Sequence, residues 1–253
     1  MRVLLLGGTT QANQLAQHLA ERKDFEPVFS LAGVTKNPAL PGIPVRIGGF
    51  GGISGLETFL ATENIGAVVD ATHPFAAQMT RHAVTACERM GLPLLRIDRP
   101  SWEAQPDDQW TFVPSIDAAV EALGTAARTV FLTTGRKDLL PFQKAPHHHY
   151  VLRSIDQPDP LSLPSNATLL LPRPPFPVAS ELPLLRAHAV QVLVTKNAGS
   201  DATAAKLIAA RAVRLPVIMI DRPTLPPAES VTTVEDALDW LERHYHAGTD
   251  RDV

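Results

Sequence analysis

Short runs of apolar residues alternate with longer segments that carry an apolar stripe at helical spacing. Val3–Leu6 is apolar at every position, which is typical of a strand covered on both faces of a parallel sheet. The following segment, Gln11–Arg22, places Leu15 and Leu19 on one face of a predicted helix. The alternation continues with predicted strands at 27–31, 67–69 and 92–97 and predicted helices at 56–63 and 76–90. This order predicts an α/β protein with mainly parallel sheets.

An internal repeat divides the chain. The segment LPLLRIDRP at 92–100 recurs as LPVIMIDRP at 215–223. Further matched segments contain the pairs Val3 and Val130, Phe50 and Phe176, Val69 and Val194, and Val113 and Val231. The offset falls along the chain from 127 to 118 residues, so one duplication followed by small deletions explains all the matches. We therefore expect two Rossmann-like, three-layer halves, 1–128 and 129–253, with a ligand cleft between them.

The near identity of the two repeated segments bears on how the sheets pair. Because LPLLRIDRP and LPVIMIDRP are nearly interchangeable, either one can in principle pair into the sheet of the other half. This strand-exchange hypothesis predicts a strand order that is not closed within each half of the sequence.

Composition and charge exclude several classes of protein. The chain has 45% hydrophobic and 19% charged residues, as a globular protein does, and its apolar runs are far shorter than the ~20 residues of a membrane span. A net charge of −3 gives no general attraction to nucleic acid. The N-terminus lacks a signal-peptide pattern, and a single cysteine fits a reducing cytosol. We expect a cytoplasmic monomer that binds neither nucleic acid nor membranes.

Two candidate sites for other chemistry are rejected. His147, His148 and His149 form a run in a predicted loop without partner ligands at metal-site spacing, so we expect a surface run and no metal site. Cys87 lies on a predicted helix, and nothing near it in the sequence would stabilise a thiolate. We therefore expect a buried cysteine side chain rather than a nucleophile.

A glycine-rich turn follows the first predicted strand. Turns at this place in doubly wound folds bind phosphate, because glycines allow close approach of the backbone and the next helix N-terminus favours negative charge. The candidate cofactor-binding residues here are Gly7, Gly8, Thr9, Thr10 and Gln11. The full G-x-G-x-x-G fingerprint is not present, so a plain glycine turn with Thr9 or Thr10 as the helix N-cap is an equal alternative.

The end of the second predicted strand indicates which nucleotide would bind. NAD sites usually carry an Asp or Glu there, which binds the ribose hydroxyls. This chain instead has Ser30 and Gly33, followed by two cations, Lys36 and Arg46. The absence of an acidic residue and the presence of cations favour NADP, whose 2′-phosphate is anionic. The alternative is that both cations are ordinary surface charges.

Two further segments extend this candidate site. The glycine-dense stretch at 47–55 lets the backbone approach a ligand beside an aromatic wall, although a flexible surface loop is the alternative. The segment at 70–76 follows a buried strand and opens a helix, and ligands gather at the carboxyl ends of strands in open α/β sheets. The candidate cofactor-binding residues in these two segments are Gly49, Phe50, Thr72 and His73, and Phe75 is assigned to the substrate pocket. His73 has a capping or packing role as its alternative.

The second half gathers cations and polar residues at its predicted strand ends. The segment at 195–203 combines them with a helix N-terminus, which suits an anionic group. In a protein of net charge −3, this clustering points to a polycarboxylate or phosphate ligand, with solvated surface cations as the alternative. The candidate substrate-binding residues are Trp102, Arg136, Arg153, Arg173, Lys196, Asn197, Ser200, Thr203 and Lys206.

The chain resembles the precorrin-6A reductase family over nearly its whole length. The motifs that carry the resemblance, in family order, are LLLGGTTQA, SLAG, VRIGGFGG, VVDATHPFA, LPLLRIDRPSW, TTGR, LPRPPF, VTKNAGSDAT, AKLIAARA and LPVIMIDRP. DATHPFA and TKNAGSDAT are the most specific of them. One position departs from the family: members often read SLAGRT, whereas this chain has Val34, which leaves Lys36 or Arg46 to meet the 2′-phosphate.

The resemblance implies an NADPH-dependent oxidoreductase of cobalamin biosynthesis. In such an enzyme, hydride from NADPH passes to a ring double bond of the tetrapyrrole precorrin-6A and gives precorrin-6B. The protein would mainly position the reactants, since the cofactor supplies the hydride. The accompanying proton would come from water, Lys196 or Asp201. The alternatives are an NADP-dependent reductase of another polyanionic substrate and a non-catalytic two-domain module that binds an anion.

Overall fold

Two parallel sheets form the framework of the protein, which this computed structural model describes for residues 1–33, 42–173 and 175–249. Strands and helices are numbered separately in chain order. Across the first sheet lie β12 (Glu229–Val231), β5 (Leu94–Ile97), β4 (Ala67–Asp70), β1 (Arg2–Leu6), β2 (Glu26–Leu31) and β3 (Val45–Ile47). Across the second lie β6 (Gln109–Val113), β11 (Pro216–Ile220), β10 (Val192–Lys196), β7 (Thr129–Leu132), β8 (His149–Arg153) and β9 (Ala167–Leu170).

The helices accompany the strands in the alternation that the sequence predicts. Among the described residues they are α1 (Thr10–Ala20), α2 (Ile53–Thr62), α3 (Ala77–Met90), α4 (Ile116–Ala122), α5 (Val178–Ala187), α6 (Ala205–Ala212) and α7 (Val234–Thr249). None of them is both long enough and apolar enough to cross a membrane. The predicted elements of the first half lie within three residues of the observed ones, because each depends on a local apolar pattern.

The two sheets have the same strand order, position by position. In each sheet, the first strand of its repeat lies between the second and the fourth, and every pairing is parallel. The prediction of an α/β protein with two Rossmann-like halves is confirmed, and the shared order agrees with an internal duplication. The outermost pairings complete the order, since β12 pairs with β5 and β6 pairs with β11.

These outermost pairings exchange one strand between the repeats. β6 follows β5 in the chain but pairs with β11, and β12 follows β11 but pairs with β5. Equivalent hydrogen bonds end both pairings: Asp98 N donates to Val231 O at 2.8 Å, and Asp221 N donates to Val113 O at 2.9 Å. The strand-exchange hypothesis was wrong about the segment, because β5 and β11 stay beside β4 and β10. The exchange occurs one strand later.

The chain consequently forms two units whose boundaries differ from the expected division after residue 128. Unit 1 comprises Met1–Pro100 and Pro223–Val253, and unit 2 comprises Ser101–Arg222. The repeat by itself places the boundary between the two consecutive copies. Each exchanged strand, however, belongs to the unit whose sheet it joins, and the helix that follows the strand belongs to the same unit. Both boundaries therefore fall at the Asp-Arg-Pro ends of the two repeated segments, one after Pro100 and the other after Arg222.

Unit 1 has three layers because alternate residues of its central strand enter two different cores. Leu4 and Leu6 pack with residues of α2 and α3, and Cys87 lies in the same cluster. Burial raises the pKa of the Cys87 thiol to about 12, so the expectation of a buried, unreactive cysteine agrees with the structure. On the other face, Val3 and Leu5 pack with α1 and with the buried residues of α7.

Unit 2 packs its sheet in the same manner. Phe131, Leu193 and Met219 share a core with residues of α5 and α6, against which Trp102 and Trp110 also pack. α4 lies against β6 and β11. The expected surface run of histidines is wrong at His148, which is fully buried and whose Nδ1 accepts a hydrogen bond from Arg128 N at 3.3 Å.

We expect Trp240→Ala to destabilise unit 1, although Trp240 belongs to the last helix of the chain. Trp240 is 1% exposed and packs in the core beneath β1, so truncation should lower the free energy of unfolding by about 3–5 kcal/mol. Hydrogen exchange should show faster exchange at the β1 amides, with β7 of unit 2 unchanged. Trp240→Phe should cost less, and a loss of protection confined to β7 would contradict the exchanged architecture.

Candidate functional site

The carboxyl edge of the unit 1 sheet contains a topological switch point. After β1 the chain builds β2 and β3 on one side of it, and then crosses to build β4 and β5 on the other. Connections leave the ends of β1 and β4 in opposite directions, which opens a crevice where doubly wound folds bind nucleotides. The predicted segments Gly7–Gln11 and Thr72–Phe75 follow these two strands, so the structure brings them to the same edge.

The glycine turn after β1 fits closely against the neighbouring strand. Gly7 N donates to Ser30 O at 2.9 Å, and a Cβ on Gly7 would lie 2.3 Å from the Phe29 ring. Gly8 has a φ of +116°, a conformation that L-residues with side chains rarely adopt. The turn therefore needs glycine at both positions, for a close packing contact at Gly7 and for backbone conformation at Gly8.

Thr9 links this turn to the loop after β4. Its Oγ1 accepts a hydrogen bond from Ala12 N at 3.1 Å, which makes it the N-cap of α1, and donates to Ala71 O at 2.8 Å. The amides of Thr10 and Gln11 lie in the first turn of the helix, where N–H groups have no acceptor within the helix. The expected capping role of Thr9 is therefore confirmed, while phosphate binding by the amides that follow it stays a prediction.

The Gln11 side chain is engaged within unit 1. Its Nε2 donates to Thr232 O at 3.1 Å, and its Oε1 accepts from Arg99 Nη1 at 3.3 Å. These contacts join α1 to the segments that follow β12 and β5. Both polar atoms of the Gln11 side chain thus have partners within unit 1.

Arg46 organises the ends of β2 and β3. Its guanidinium donates to Ser30 Oγ at 3.1 Å, to Gly48 O at 2.8 Å and to Gly49 O at 3.0 Å, and it lies 3.8 Å from the centre of the Phe50 ring. Partial burial lowers the pKa of Arg46 from its ordinary value. Three predicted site residues, Ser30, Gly49 and Phe50, thus contact one cation beside the end of β2.

Of the remaining residues that the sequence analysis singled out near β2, the structure describes Gly33. Gly33 has a φ of +72°, and a Cβ there would lie 3.2 Å from Ile47 Cγ2. Lys36 and Val34 lie outside the described residues. In the described part of this edge, Arg46 is consequently the predicted cation whose position is known.

Asp70 is the residue of this edge to which the sequence-based reasoning assigned no role. It ends β4, is 3% exposed, and accepts hydrogen bonds from Thr72 N at 3.0 Å, Thr72 Oγ1 at 2.7 Å and Thr80 Oγ1 at 2.7 Å. The sequence signal was present, since Asp followed two positions later by a hydrogen-bonding residue is typical of an Asx turn. Because Thr72 gives its hydroxyl proton to Asp70, its oxygen offers lone pairs as a hydrogen-bond acceptor.

His73 and Phe75 form a local turn after Thr72. His73 Nδ1 accepts from Phe75 N at 3.2 Å, and the two rings lie 5.7 Å apart. In a neutral imidazole this leaves the proton on Nε2. The turn thus carries an aromatic pair at the end of β4, beside the α1 N-terminus.

In unit 2, the equivalent edge follows β7 and β10. Gly135 has a φ of +95° and leads into a short 3₁₀ turn that begins at Arg136. Lys196, at the end of β10, forms an ion pair with Asp138 of that turn. The pair joins the two strand ends, so Lys196 is a partly buried and paired cation rather than a solvated one.

Asn197 positions Trp102. Its Oδ1 accepts from Trp102 N at 2.7 Å and its Nδ2 donates to Trp102 O at 3.2 Å, so the amide pairs with both backbone groups of one residue. Arg222 holds the same segment, since its Nε donates to Asn197 O at 3.0 Å. The Asn197 side chain is therefore engaged with the backbone of Trp102.

The other predicted residues of unit 2 divide into buried and exposed groups. Arg153 and Lys206 are 8% and 4% exposed, so the structure does not present them to solvent as a binding surface for carboxylates requires. Arg173 and Asp201 are exposed, and Ser200 and Thr203 are partly buried in the loop after β10, where Thr203 Oγ1 donates to Ser200 O at 3.3 Å. Burial of the two cations depends on α5, which the local sequence does not reveal.

Comparison with known proteins finds relatives along nearly the whole chain. The family model described as precorrin-6x reductase CbiJ/CobK matches residues 2–242. A precorrin-6A reductase of Rhodobacter capsulatus is 48% identical over 244 residues, which are 96% of each chain. That of Rhodococcus erythropolis is 46% identical over 241 residues, 95% of this chain and 97% of the relative. A solved structure of a CobK precorrin-6A reductase has a TM-score of 0.91 at 48% identity and covers 96% of this chain and 97% of its own.

We expect Gly7→Ala to destabilise unit 1, because its Cβ would overlap the Phe29 ring. Overpacking of this kind costs about 1–3 kcal/mol of unfolding free energy. The double variant Gly7→Ala/Phe29→Leu should recover part of that loss, which chemical denaturation of the single and double variants measures. A double variant whose loss equals the sum of the two single losses would show that the ring contact is not the reason for glycine.

Proposed function

Because the chain belongs to the precorrin-6x reductase family, we propose that it reduces precorrin-6A to precorrin-6B in cobalamin biosynthesis, with NADPH as the hydride donor. The observation that carries the NADPH assignment is the switch point of unit 1, where the glycine turn, the α1 N-terminus and the Thr72 turn converge. This arrangement supports a dinucleotide whose pyrophosphate lies on the amides of the first α1 turn.

The end of β2 supports NADPH over NADH. Ser30 stands where an acidic residue would bind the ribose hydroxyls of NAD, and Arg46 donates to its hydroxyl. A guanidinium at this place would pair with a 2′-phosphate, and its contacts with Gly48 O and Gly49 O fix its orientation in advance. Phe50 covers one face of the guanidinium and so keeps water from that side. Lys36 stays a second proposed partner of the phosphate.

The loop after β4 supports the reactive end of the cofactor. Thr72 Oγ1, an acceptor by virtue of its bond to Asp70, would accept from the nicotinamide amide, and His73 and Phe75 would shape the apolar side of the pocket. When bound, NADPH supplies the hydride. The role of the protein at this end is to orient the ring and exclude water, since Asp70 holds Thr72 and Thr80 in place from the buried side.

The edge of unit 2 supports a substrate rich in carboxylates. Arg136 and Arg173 are the proposed direct partners of such groups, with Ser200 and Thr203 as neutral donors and Trp102 as a flat apolar surface. Lys196 and Asp201 are the proposed proton donors, because Lys196 ends β10 and Asp201 lies in the turn that follows it. A single cysteine supports a cytoplasmic location, and we expect a monomer.

Spectroscopy of nicotinamide oxidation tests the proposal directly. With precorrin-6A present, absorbance at the NADPH band should fall, and faster than with NADH at equal concentration. Oxidation only with a different polyanionic acceptor would favour a reductase of that substrate. Tight binding of NADPH and precorrin-6A without oxidation would favour a non-catalytic binding module.

We expect Arg46→Ala to weaken NADPH binding far more than NADH binding. Loss of one charge-assisted contact with the 2′-phosphate corresponds to about a 10- to 100-fold loss of affinity, measured by fluorescence titration with each nucleotide. Collapse of the loop at Gly48 and Gly49 would weaken both nucleotides equally, so the ratio of the two affinities is the readout. Arg89→Ala, which removes an exposed cation paired with Glu57 in the same unit, should change neither affinity.

A further inference from the structure

Three charged side chains lie near one another inside unit 2, although two of them are cations. Arg153 of β8 forms an ion pair with Glu181 of α5, and both side chains are almost completely buried. Lys206 of α6 is the second cation, 4% exposed, and its charge is influenced by both partners. We call Arg153, Glu181 and Lys206 the buried triad. With all three ionised, it holds one positive charge in excess.

The described residues around the triad do not neutralise that excess. The Arg153 guanidinium lies 4.2 Å from the centre of the Phe176 ring and 5.1 Å from that of Phe131. Lys206 Nζ lies 4.9 Å from the Trp102 ring and donates to Thr203 O at 2.8 Å. Aromatic faces and a carbonyl stabilise cations only partly, and burial penalises an uncompensated charge strongly.

Neutral Lys206 is the state that relieves this excess without an added anion. Burial and, to a smaller extent, the charge of Arg153 lower the pKa of Lys206 to about 7, while Glu181 opposes them. Other charged groups on the neighbouring elements are engaged or exposed: Arg211 of α6 pairs with Asp108, and Asp201 lies at the surface. At neutral pH the amine and the ammonium form of Lys206 are thus both populated.

The position of Lys206 connects the triad to the loop that follows β10. Its Nζ holds the carbonyl of Thr203, and its charge lies against Trp102, whose backbone Asn197 fixes. Thr203 and Trp102 are also proposed substrate contacts. An anion bound on this loop would therefore lie close to the buried triad, whose net charge is positive when Lys206 is protonated.

We propose that Lys206 takes up a proton from solvent when an anionic group of the substrate binds at the β10 edge. The protonated side chain then supplies a compensating positive charge from the buried side of the loop. The amine becomes an ammonium ion, the hydrogen bond to Thr203 O persists in either form, and no other bond changes. Lys206 is in this sense a positioning residue, because it acts through Thr203 and Trp102 without touching the ligand. The inference deepens the proposed function and rests on it, since it assumes a carboxylate-rich ligand at this edge.

Calorimetry of precorrin-6A binding, without nucleotide and in buffers of different ionisation enthalpy, counts the protons taken up. With a free pKa of about 7, uptake should be about half a proton at pH 7 and approach one at pH 8. The same linkage makes the affinity about tenfold weaker at pH 8 than at pH 6. Substrate carboxylates are ionised throughout this range and contribute little.

Variants separate this linkage from a structural role. Lys206→Met, which has a similar length and no charge, should abolish the uptake and flatten the pH dependence of binding. Lys206→Arg, which stays charged, should bind with wild-type affinity at low pH and without uptake. The matched control Lys144→Met removes an exposed lysine paired with Asp117 in the same unit, and should keep the wild-type uptake.

Each possible result either supports or overturns the proposed protonation of Lys206. Uptake that rises with pH in the wild type and is lost in Lys206→Met supports the proposal. Binding without uptake in the wild type, or equal uptake in Lys206→Met, overturns it and leaves the proposed function intact. The wild-type profile alone suffices if the methionine variant does not fold. Failure of precorrin-6A to bind at all overturns the proposed function, and the proton linkage with it.

Discussion

The parallel pairing of β5 with β12 and of β11 with β6 is the constraint on which both units depend. Parallel strands cannot follow one another through a tight turn, so the strand that completes each sheet must arrive through a longer connection. In this chain those strands come from the other repeat, and each brings its following helix with it. The core beneath β1 is consequently completed by Trp240 and Leu241, from the far end of the sequence.

The same strand order gives both units a switch point, but the two edges have acquired different chemistry. In unit 1 the edge is built from backbone amides, hydroxyl groups and one partly buried cation, with Asp70 satisfied by Thr72 and Thr80. In unit 2 the helix N-terminus after the first strand of the repeat is replaced by a 3₁₀ turn, and an ion pair joins the ends of β7 and β10. Duplication therefore preserved the framework and the place of the sites, while their side chains diverged.

Arginine stacked on phenylalanine occurs in both units and shows how far that divergence went. Arg46 lies against Phe50 and also bonds backbone carbonyls, whereas Arg153 lies against Phe176 and pairs with the buried Glu181. The two phenylalanines are equivalent in the repeat, but Arg46 comes from the third strand of its repeat and Arg153 from the second. Similar contacts thus serve different ends: in unit 1 the cation borders the proposed phosphate site, and in unit 2 it raises the cost of charging Lys206.

The sequence by itself determined what depends on neighbouring residues: the alternation of strands and helices, the repeat, the glycine turn at Gly7 and Gly8, and the gathering of Thr72 and Ser30 at strand ends. These features follow from apolar periodicity and backbone freedom, which are local. Only the tertiary structure decided which strand closes each sheet, because β6 and β12 find their partners through hydrogen bonds with distant segments. It also decided that Arg153 and Lys206 lie inside, since their burial depends on α5 and on Trp102, which approach from remote parts of the chain. Tertiary packing decides whether a cation faces solvent or another cation, so residues that are adjacent in the sequence do not predict it.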